Sequence, residues 1–319
     1  MKLVSFVIPV FRNQGSLRLT YEKVTRLFRT ELAAFDYEFV FVDDGSDDGS
    51  LNELLEVRRS DARVKVLEFS RNFGQIAAQT AGLNHAAGDC AVLMSADLQD
   101  PVELIGEMVR SWAAGSEIVI GHRTDRDDDL AAKLSSKLFY SLMRTLYPRM
   151  PRGGFDFCLL DRACVAEMNR ILDKNRFFQG DILTLGFSVK FLPYKRLKRT
   201  IGESQWTTAK KIKYFIDCLV TSSYVPIRLM SLSGFAIASI GFAYGLLIVY
   251  GRLKHYTPFT GWAPIMILIL VIGGLVMSML GIIGEYIWRI YDEVKKRPNY
   301  IIRSRHGADS PAGERTAAD

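Results

Sequence analysis

Four polar residues at two places in the chain have the types and spacing to bind a charged ligand. Asp43 and Asp44 are adjacent, and Asp97 and Gln99 stand two residues apart. In an extended segment, residues two apart point to the same side, so the Asp97 carboxylate and the Gln99 amide oxygen can face one ion. Completed by phosphate oxygens and water, this pair of oxygen ligands suits Mg²⁺ or Mn²⁺.

The same segments also have an ordinary structural interpretation. Asp, Gly and Ser favour turns and helix N-termini, so Ser50 could cap one helix, and Asp100 before Pro101 could cap another. That interpretation does not explain why Asp43 and Asp44 are adjacent at the end of a predicted strand. Like charges repel there unless a ligand or a cation uses them.

Alternating strand and helix patterns place both segments at one edge of a sheet. Strand patterns cover residues 3–10, 38–42, 64–69, 90–94 and 117–121, and helical stretches begin at Ser16, Ser50, Gln75 and Pro101. This βαβα order predicts an α/β fold with a largely parallel sheet covered by helices on both faces. Ligands of such sheets bind beyond the carboxyl ends of the strands, where the two acidic segments lie.

Composition excludes several classes of protein. The chain has 319 residues, of which 49% are hydrophobic and 24% charged, so it is neither disordered nor collagen-like. Its 4 cysteines form no C-x-x-C pair, which excludes a disulfide scaffold and a structural zinc site. The net charge of +6 suggests an anionic partner without choosing between nucleic acid, lipid headgroup and phosphate substrate.

Two long uncharged stretches predict a membrane hairpin. Residues 229–251 and 263–284 are 23 and 22 residues long and carry no charge, and each can cross a hydrocarbon core of about 30 Å. The alternative is a pair of buried core helices in a soluble protein. Basic residues flank the hairpin on both sides, which predicts that both termini are cytoplasmic. They are Lys210, Lys211, Lys213 and Arg228 before it, and Arg289, Lys295, Lys296 and Arg297 after it.

The residues just before the hairpin predict a helix lying in the membrane surface. Apolar residues recur at helical spacing between Ile212 and Tyr224, and lysines cluster near the start. The alternative is an ordinary helix that faces the core of the soluble domain. At the other end of the chain, the tail from His306 is rich in Ala, Gly, Ser and Pro, and we expect it to be disordered.

A set of motifs in order resembles family 2 glycosyltransferases of the GT-A fold. The motifs are residues 9–11, 42–50, 70–74, 96–99 and 202–204. With the two C-terminal spans, the chain resembles the polyprenyl-phosphate branch of that family, from residue 1 to about 305. This branch includes dolichyl-phosphate mannose synthases, undecaprenyl-phosphate aminoarabinose transferases and bactoprenol glucosyltransferases of the GtrB type.

The resemblance implies an organisation and a role for each matched residue. The implied regions are a GT-A domain (1–206), an amphipathic juxtamembrane helix (207–228), two transmembrane helices (about 229–251 and 263–287, within 229–288) and a basic, then disordered cytoplasmic tail (289–319). The implied nucleotide-binding residues are Pro9, Phe11, Asp43, Asp44, Arg71 and Asp97. Asp97 and Gln99 are the implied ligands of Mg²⁺ or Mn²⁺. The implied catalytic residues are Asp156, matched to the acid proposed for the catalytic step, and Arg123, Arg199 and Ser204, matched to positions that meet phosphate.

The chain departs from the family pattern at two places. Phe11-Arg12-Asn13 stands where Tyr-Asn-Glu is usual, so an amide replaces a carboxylate near the ribose. Ser95-Ala96-Asp97 stands where Asp-x-Asp is common, which removes one negative charge beside the metal. We expect metal binding to survive in a weakened form, because Asp97 and Gln99 are the residues matched to coordination.

The chemistry of a lipid-phosphate acceptor favours direct displacement with inversion at the anomeric carbon. The second pKa of a monophosphate is about 6, so this nucleophile hardly needs a general base. The cation, Arg123, Arg199 and the basic run 195–199 would screen the repulsion between donor and acceptor. Asp156 then orients the sugar or acceptor, or supports positive charge on the ring; a purely structural Asp156, after Gly153 and Gly154, is the alternative.

Three functions compete at this point. The first is transfer of a hexose, most simply glucose from UDP-glucose, to undecaprenyl phosphate, with mannose or a modified arabinose as other donors. The second is a processive polysaccharide synthase, which uses Gln-x-x-Arg-Trp, whereas this chain has only Gln205-Trp206. The third is a non-catalytic membrane scaffold, suggested by Ser95, Arg12 and Asn13. The expected partners are a UDP-sugar, polyprenyl phosphate and membrane lipids, and no nucleic acid. The expected location is the bacterial inner membrane, and the expected assembly is a homo-oligomer, by analogy a tetramer.

Overall fold

The predicted alternation of strands and helices is present in the computed structural model of the chain. The structure describes residues 1–123, 141, 143–151, 153–171, 173, 176–195, 225–254 and 263–307. The chain divides into two compact units, Met1–Phe215 with Pro298–Asp319, and Ile216–Arg297. The predicted boundary at 206/207, residues 207–224 of the predicted amphipathic helix and the tail after residue 307 lie outside the described residues.

The first unit is built on one sheet. Its strands are β1 (Lys2–Val10), β2 (Phe35–Asp43), β3 (Val64–Phe69), β4 (Cys90–Leu93), β5 (Ile118–Arg123), β6 (Phe157–Asp161), β7 (Val189–Tyr194) and β8 (Ile302–His306). Its helices are α1 (Leu17–Thr30), α2 (Ser50–Ser60), α3 (Gln75–His85), α4 (Glu103–Ala113), α5 (Arg162–Arg170) and α6 (Phe178–Thr184). The five predicted strands and four predicted helices are all confirmed, with strand ends that differ by at most three residues.

The strand order is β7-β5-β6-β4-β1-β2-β3-β8, and the sheet is mixed. β4, β1, β2 and β3 run parallel, as predicted. β6 runs antiparallel to both β4 and β5, and β8 runs antiparallel to β3. The four central parallel strands therefore end at the same edge, which is where their polar C-terminal segments meet.

Helices cover both faces of the central strands because those strands are apolar on both sides. Phe6 and Ile8 of β1 pack into the core together with Val24 of α1, and all three side chains are fully buried. On the opposite face, Val7 of β1 contacts Gly82 of α3 so closely that a Cβ at position 82 would clash. This packing fixes the strand ends that carry the polar segments.

The second unit contains two long apolar helices, α7 (Val225–Leu253) and α8 (Ala263–Val294). Ile227–Leu247 and Val271–Val294 are long and apolar enough to cross a membrane, and none of either segment's most apolar window is buried. Large apolar side chains such as Phe235 and Ile240 are 73% and 69% exposed. This exposure contradicts the alternative of buried core helices. α8 also continues to Val294, beyond the predicted end at 287.

The predicted start of the disordered tail is wrong for its first residue. We expect disorder from His306 onward, but His306 is the last residue of β8 (Ile302–His306), which forms the edge of the sheet beside β3. The sequence Ile-Arg-Ser-Arg-His has few apolar residues, so its composition resembles a solvated tail. Its strand conformation comes from pairing with β3, a long-range contact that local sequence does not reveal.

Candidate active site

The predicted strand-end residues come together at the carboxyl edge of β1, β2, β3 and β4. Val10 at the end of β1 pairs with Asp43 at the end of β2, and the Asp44 N–H donates to the Val10 carbonyl at 2.8 Å. Met94, just after β4, donates from its N–H to the Val7 carbonyl of β1 at 3.3 Å. The segments that follow these strands therefore line one edge of the sheet, as the sequence predicts.

Asp44 holds the loop that follows β3, which we call the donor loop (residues 70–74). Its two carboxylate oxygens accept hydrogen bonds from the N–H groups of Phe73 at 2.6 Å and Gly74 at 2.9 Å. Burial raises the pKa of Asp44 to about 6, although these two bonds oppose the shift. Gly45 has a φ of 68°, and a Cβ there would lie 2.6 Å from the Arg71 carbonyl carbon. Only glycine allows this approach.

Asp43 faces a different set of groups from its neighbour. Its Oδ2 accepts a hydrogen bond from the Ser46 N–H at 3.2 Å. Its Oδ1 is buried and has no hydrogen-bond partner among the described residues. Burial raises the pKa of this carboxyl group. The two adjacent acids therefore have different roles. Asp44 binds the donor loop, whereas Asp43 keeps one carboxylate oxygen, Oδ1, without a hydrogen-bond partner among the described residues.

The segment after β1 is held by its own polar residues. The Asn13 side chain accepts from the Phe11 N–H at 2.9 Å, and the Asn13 N–H donates to the Ser50 hydroxyl at 2.8 Å. Arg12, with a φ of 55°, forms two hydrogen bonds of 2.6 Å with Asp47. The Arg12-Asn13 departure from the family pattern therefore has a local structural use at the edge of the site.

The Asp97–Gln99 segment is a turn and not the extended segment that the sequence analysis assumed. Leu98 adopts a left-handed φ of 59°, and the Gln99 N–H donates to Asp97 Oδ1 at 3.2 Å. The prediction that an extended backbone points the Asp97 and Gln99 side chains to the same side is therefore wrong. The turn nevertheless keeps both residues together, with the Asp97 side chain buried.

The donor set at this turn fits a hard divalent cation. One carboxylate and one amide oxygen are the ligand types that Mg²⁺ and Mn²⁺ accept. Within the described part of the chain, no group of three or more His, Cys, Asp or Glu residues could hold a metal. An ion bound at Asp97 and Gln99 would have further coordination positions for other oxygen ligands, such as those of a diphosphate.

Arg123 and Asp156, both implied catalytic residues, form an ion pair. The Arg123 guanidinium contacts Asp156 Oδ2 at 2.9 Å; the Arg123 side chain is 9% exposed and the Asp156 side chain 40%. Burial alone would lower the pKa of Arg123, but the charge of Asp156 and the nearby Tyr194 raise it overall. Arg123 therefore stays cationic, and the exposed side of Asp156 is open to a ligand.

Three residues that the sequence analysis did not assign to the site extend this ion pair. The Gln179 amide donates to Asp156 Oδ1 at 3.2 Å, and the Tyr194 hydroxyl contacts Arg123 Nε at 3.4 Å. The same hydroxyl donates to Asp100 Oδ1 at 3.0 Å, and the Ser95 N–H donates to Asp100 Oδ2 at 3.0 Å. A continuous polar network thus runs from Asp156 to the buried carboxylate beside the Asp97–Gln99 turn.

Part of this network could be predicted from the sequence, because ligands of such sheets bind at the carboxyl ends of the strands. Tyr194 ends β7, which is parallel to β5, and Arg123 ends β5, so the two residues pair in register. The pattern 189–194 is short and carries a proline, which hides the strand. In the sequence, the position of Asp100 before Pro101 indicates only a helix cap, and no local signal marks Gln179. Arg199 and Ser204 lie outside the described residues.

Comparison with known proteins identifies the family that this fold and site define. The α/β domain is GT-A-like, and the chain belongs to glycosyl transferase family 2, whose match covers residues 5–172. It is 37% identical over 308 residues to the uncharacterized glycosyltransferase YkcC of Bacillus subtilis, covering 96% of this chain and 95% of that protein. The chain is therefore a glycosyltransferase.

Other relatives carry a more specific description. The prophage SfII-derived bactoprenol glucosyl transferase of Shigella flexneri is 34% identical over 305 residues, covering 95% of this chain and 98% of the relative. Among solved structures, mannosyl-3-phosphoglycerate synthase of Rubrobacter xylanophilus aligns with a TM-score of 0.47 and 16% identity, over 73% of this chain and 75% of that one.

Proposed function

We propose that this chain transfers glucose from UDP-glucose to a polyprenyl phosphate, undecaprenyl phosphate in a bacterial inner membrane. The observation that carries the proposal is the Arg123–Asp156 ion pair, which is linked through Tyr194 and Asp100 to the turn with Asp97 and Gln99. A cation at that turn would hold the donor diphosphate, and Arg123, in the same network, would receive the acceptor phosphate. The bactoprenol glucosyl transferases among the relatives support this choice of sugar and acceptor.

The donor nucleotide would bind at the ends of β1, β2 and β3. Pro9 and Phe11 would line the base and ribose together with Arg71, which the donor loop carries. Asp43 Oδ1, which has no hydrogen-bond partner in the described part of the chain, offers an acceptor to a ribose hydroxyl or a base N–H. Asp44 acts on the donor through the loop, because both of its oxygens bind the loop backbone.

Asp97 and Gln99 would hold Mg²⁺ or Mn²⁺ against the donor diphosphate. When bound, the ion supplies positive charge that stabilises the leaving nucleotide. Asp97 contributes one negative charge and Gln99 a neutral oxygen. Because Ser95 replaces a second acid, the site carries less negative charge, and we expect correspondingly weaker affinity for the free ion and a greater dependence on the diphosphate.

The chain's own residues would position the acceptor and the sugar. The acceptor phosphate is mostly ionised at neutral pH, so Asp156 has no proton that it must remove. Its Oδ2 is bound by Arg123 and its Oδ1 by Gln179, which fixes the carboxylate in place. We assign Asp156 to orienting the sugar or acceptor, with inversion by direct displacement. Arg199 and Ser204 would contact phosphate.

The apolar helices would place this reaction at the bilayer surface. α7 and α8 would span the membrane, and the basic residues on both flanks favour a cytoplasmic position for the catalytic domain and both termini. The predicted boundary at 228/229 is wrong, because α7 already begins at Val225. Residues 207–224 would lie in the interface among membrane lipids. Assembly as a homo-oligomer, by analogy with the family a tetramer, is part of the proposal and is tested by light scattering of the detergent-solubilised protein.

The test is a product assay with the purified full chain in detergent. The protein is incubated with UDP-glucose, undecaprenyl phosphate and Mg²⁺ or Mn²⁺, and both UDP release and the mass of the lipid are measured. We expect stoichiometric UDP and a lipid heavier by one hexose. Transfer from another nucleotide sugar would change the assigned donor. Absence of release with every common nucleotide sugar would favour the non-catalytic scaffold.

A further inference from the structure

The chain from Pro298 onward belongs to the first unit, and part of it attaches to the donor loop. We call residues 300–306 the edge segment, because they extend the sheet beside β3. The pairing shifts at the end of β3: Glu68 pairs with Ser304, but Phe69 pairs with Ile302. Arg303 is therefore the extra residue of a β-bulge. Bulges of this kind redirect a side chain and locally end the regular pairing.

Hydrogen bonds from the edge segment reach the first residue of the donor loop. The Ser70 N–H donates to the Ile301 carbonyl at 3.0 Å. The bulged Arg303 donates to the Ser70 carbonyl at 3.4 Å and pairs with Glu68 at 3.3 Å. Both backbone groups of Ser70 are thus bound by residues more than two hundred positions away in the chain.

A series of aromatic rings continues this attachment into the loop. The Tyr300 ring stacks on Phe69 with centroids 5.2 Å apart and planes at 10°, and its hydroxyl accepts from Asn84 at 3.0 Å. Phe69 meets the Phe73 ring edge-on at 5.6 Å. The Arg71 guanidinium lies 4.1 Å from the centroid of Phe73. Tyr300 therefore supports, through Phe69, the residue on which Arg71 rests.

The donor loop has two independent attachments. On one side, Asp44 binds the N–H groups of Phe73 and Gly74. On the other side, Tyr300 and Arg303 hold Phe69 and Ser70. A loop fixed only at the Asp44 end could tilt about that end and displace the Arg71 side chain.

We propose that the edge segment sets the affinity for the donor nucleotide, with Tyr300 as a positioning residue that acts through Phe69 and Phe73. This inference rests on the proposed function, because that function places the nucleotide at the donor loop. The competing role for the segment is protection of the β3 edge from pairing with other chains. That role predicts a change in stability or aggregation alone.

The experiment compares Tyr300→Ala, Tyr300→Phe and wild type as full chains in detergent. An aromatic stack contributes about 0.5–1.5 kcal/mol, so we expect Tyr300→Ala to raise the Kd for UDP and the KM for the donor about threefold to tenfold. The kcat should stay within about twofold, because the reacting groups are not touched. Tyr300→Phe keeps the ring and should stay within about twofold of wild type in Kd and KM.

A control and a structural readout separate positioning from general stability. Ile301 is 51% exposed, and Ile301→Ala keeps the backbone bond to Ser70, so it should leave the Kd for UDP unchanged. Amide hydrogen exchange of residues 70–74 should be faster in Tyr300→Ala than in Tyr300→Phe.

The possible outcomes distinguish this inference from the proposed function. If the wild-type chain binds UDP, unchanged UDP affinity and unchanged donor KM in Tyr300→Ala would overturn the inference, whether or not Tm or exchange in the donor loop changes. If the wild-type chain binds no UDP, the proposed function fails at this loop. In that case faster exchange at Phe73 and Gly74 in Tyr300→Ala would still support positioning, and unchanged exchange would overturn it.

Discussion

Replacement of Asp156 by Asn tests the ion pair at the centre of the candidate site. The change keeps the shape of the side chain and one acceptor oxygen but removes the negative charge beside Arg123. The Arg123 guanidinium is almost buried and contacts Asp156 at 2.9 Å, so it would lose its closest counter-charge. Removing one charge of a buried ion pair costs about 3–5 kcal/mol, but the Asn oxygen still accepts from the charged guanidinium and the Asp156 side chain is 40% exposed, so we expect a smaller loss of roughly 1–2 kcal/mol in stability.

The effect on turnover should exceed the effect on stability. If Asp156 orients the reacting groups, Asp156→Asn should lower kcat by about 10²-fold, the loss that a misplacement of the reacting groups by about 1 Å can cause. The KM for the donor should change by less than about threefold, because Asp156 lies away from the proposed nucleotide contacts. Initial rates of UDP release at several donor concentrations give both quantities.

Asp61→Asn is the matched control for this substitution. Asp61 is a buried carboxylate bound by Arg63 at 3.0 Å, but it lies before β3, at the opposite end of that strand from the donor loop. Its replacement should lower Tm without changing kcat. Wild-type turnover in Asp156→Asn, with unchanged substrate affinity, would refute a catalytic or orienting role for Asp156 and leave only the structural one.

Three further predictions concern other parts of the site. Tyr194→Phe removes a hydroxyl that donates to the buried Asp100 carboxylate, so it should lower the free energy of unfolding by about 1.5–3 kcal/mol, measured by thermal unfolding. We also expect kcat to fall at least tenfold, and unchanged turnover would exclude the network from function. The pKa of Asp44 is raised to about 6 in the folded chain but is about 3.9 in an unfolded one, so this group's contribution makes the folded state less stable as pH rises from about 4 to 6, by up to about 3 kcal/mol. Asp44→Asn should remove that part of the pH dependence of Tm, and parallel wild-type and variant curves would contradict it. Chelation with EDTA should abolish activity, and Gln99→Ala should raise the Mn²⁺ concentration needed for half-maximal rate about tenfold; turnover that persists after chelation would contradict the metal assignment.

The sequence predicts the central sheet well because local pattern and global fold agree there. β1, β2 and β3 are rich in Val, Phe and other residues that favour strands, and helices of clear periodicity separate them. The position of the acidic segments after β2 and β4 follows from the parallel order alone. The apolar stretches of α7 and α8 can also be predicted from the sequence, because their length and their lack of charged residues are sufficient evidence.

The parts that the sequence does not predict depend on long-range contacts. β8 is a polar pentapeptide that becomes a strand only because the edge of β3 is available. Leu98 adopts a left-handed conformation that its residue type disfavours, so the turn at Asp97 could not be anticipated from pattern. The contacts of Gln179 and Tyr194 join elements that are distant in sequence, and no motif marks them.

The central claim is that the Asp97–Gln99 turn and the Arg123–Asp156 pair bring a nucleotide sugar and a lipid phosphate together. Cryo-electron microscopy of the full chain with Mn²⁺, a non-transferable UDP-glucose analogue and undecaprenyl phosphate tests it most directly. We predict Mn²⁺ bound by Asp97, Gln99 and diphosphate oxygens, with the lipid phosphate within reach of Arg123. A manganese ion held by other side chains, with Asp97 and Gln99 turned away from it, would contradict the claim.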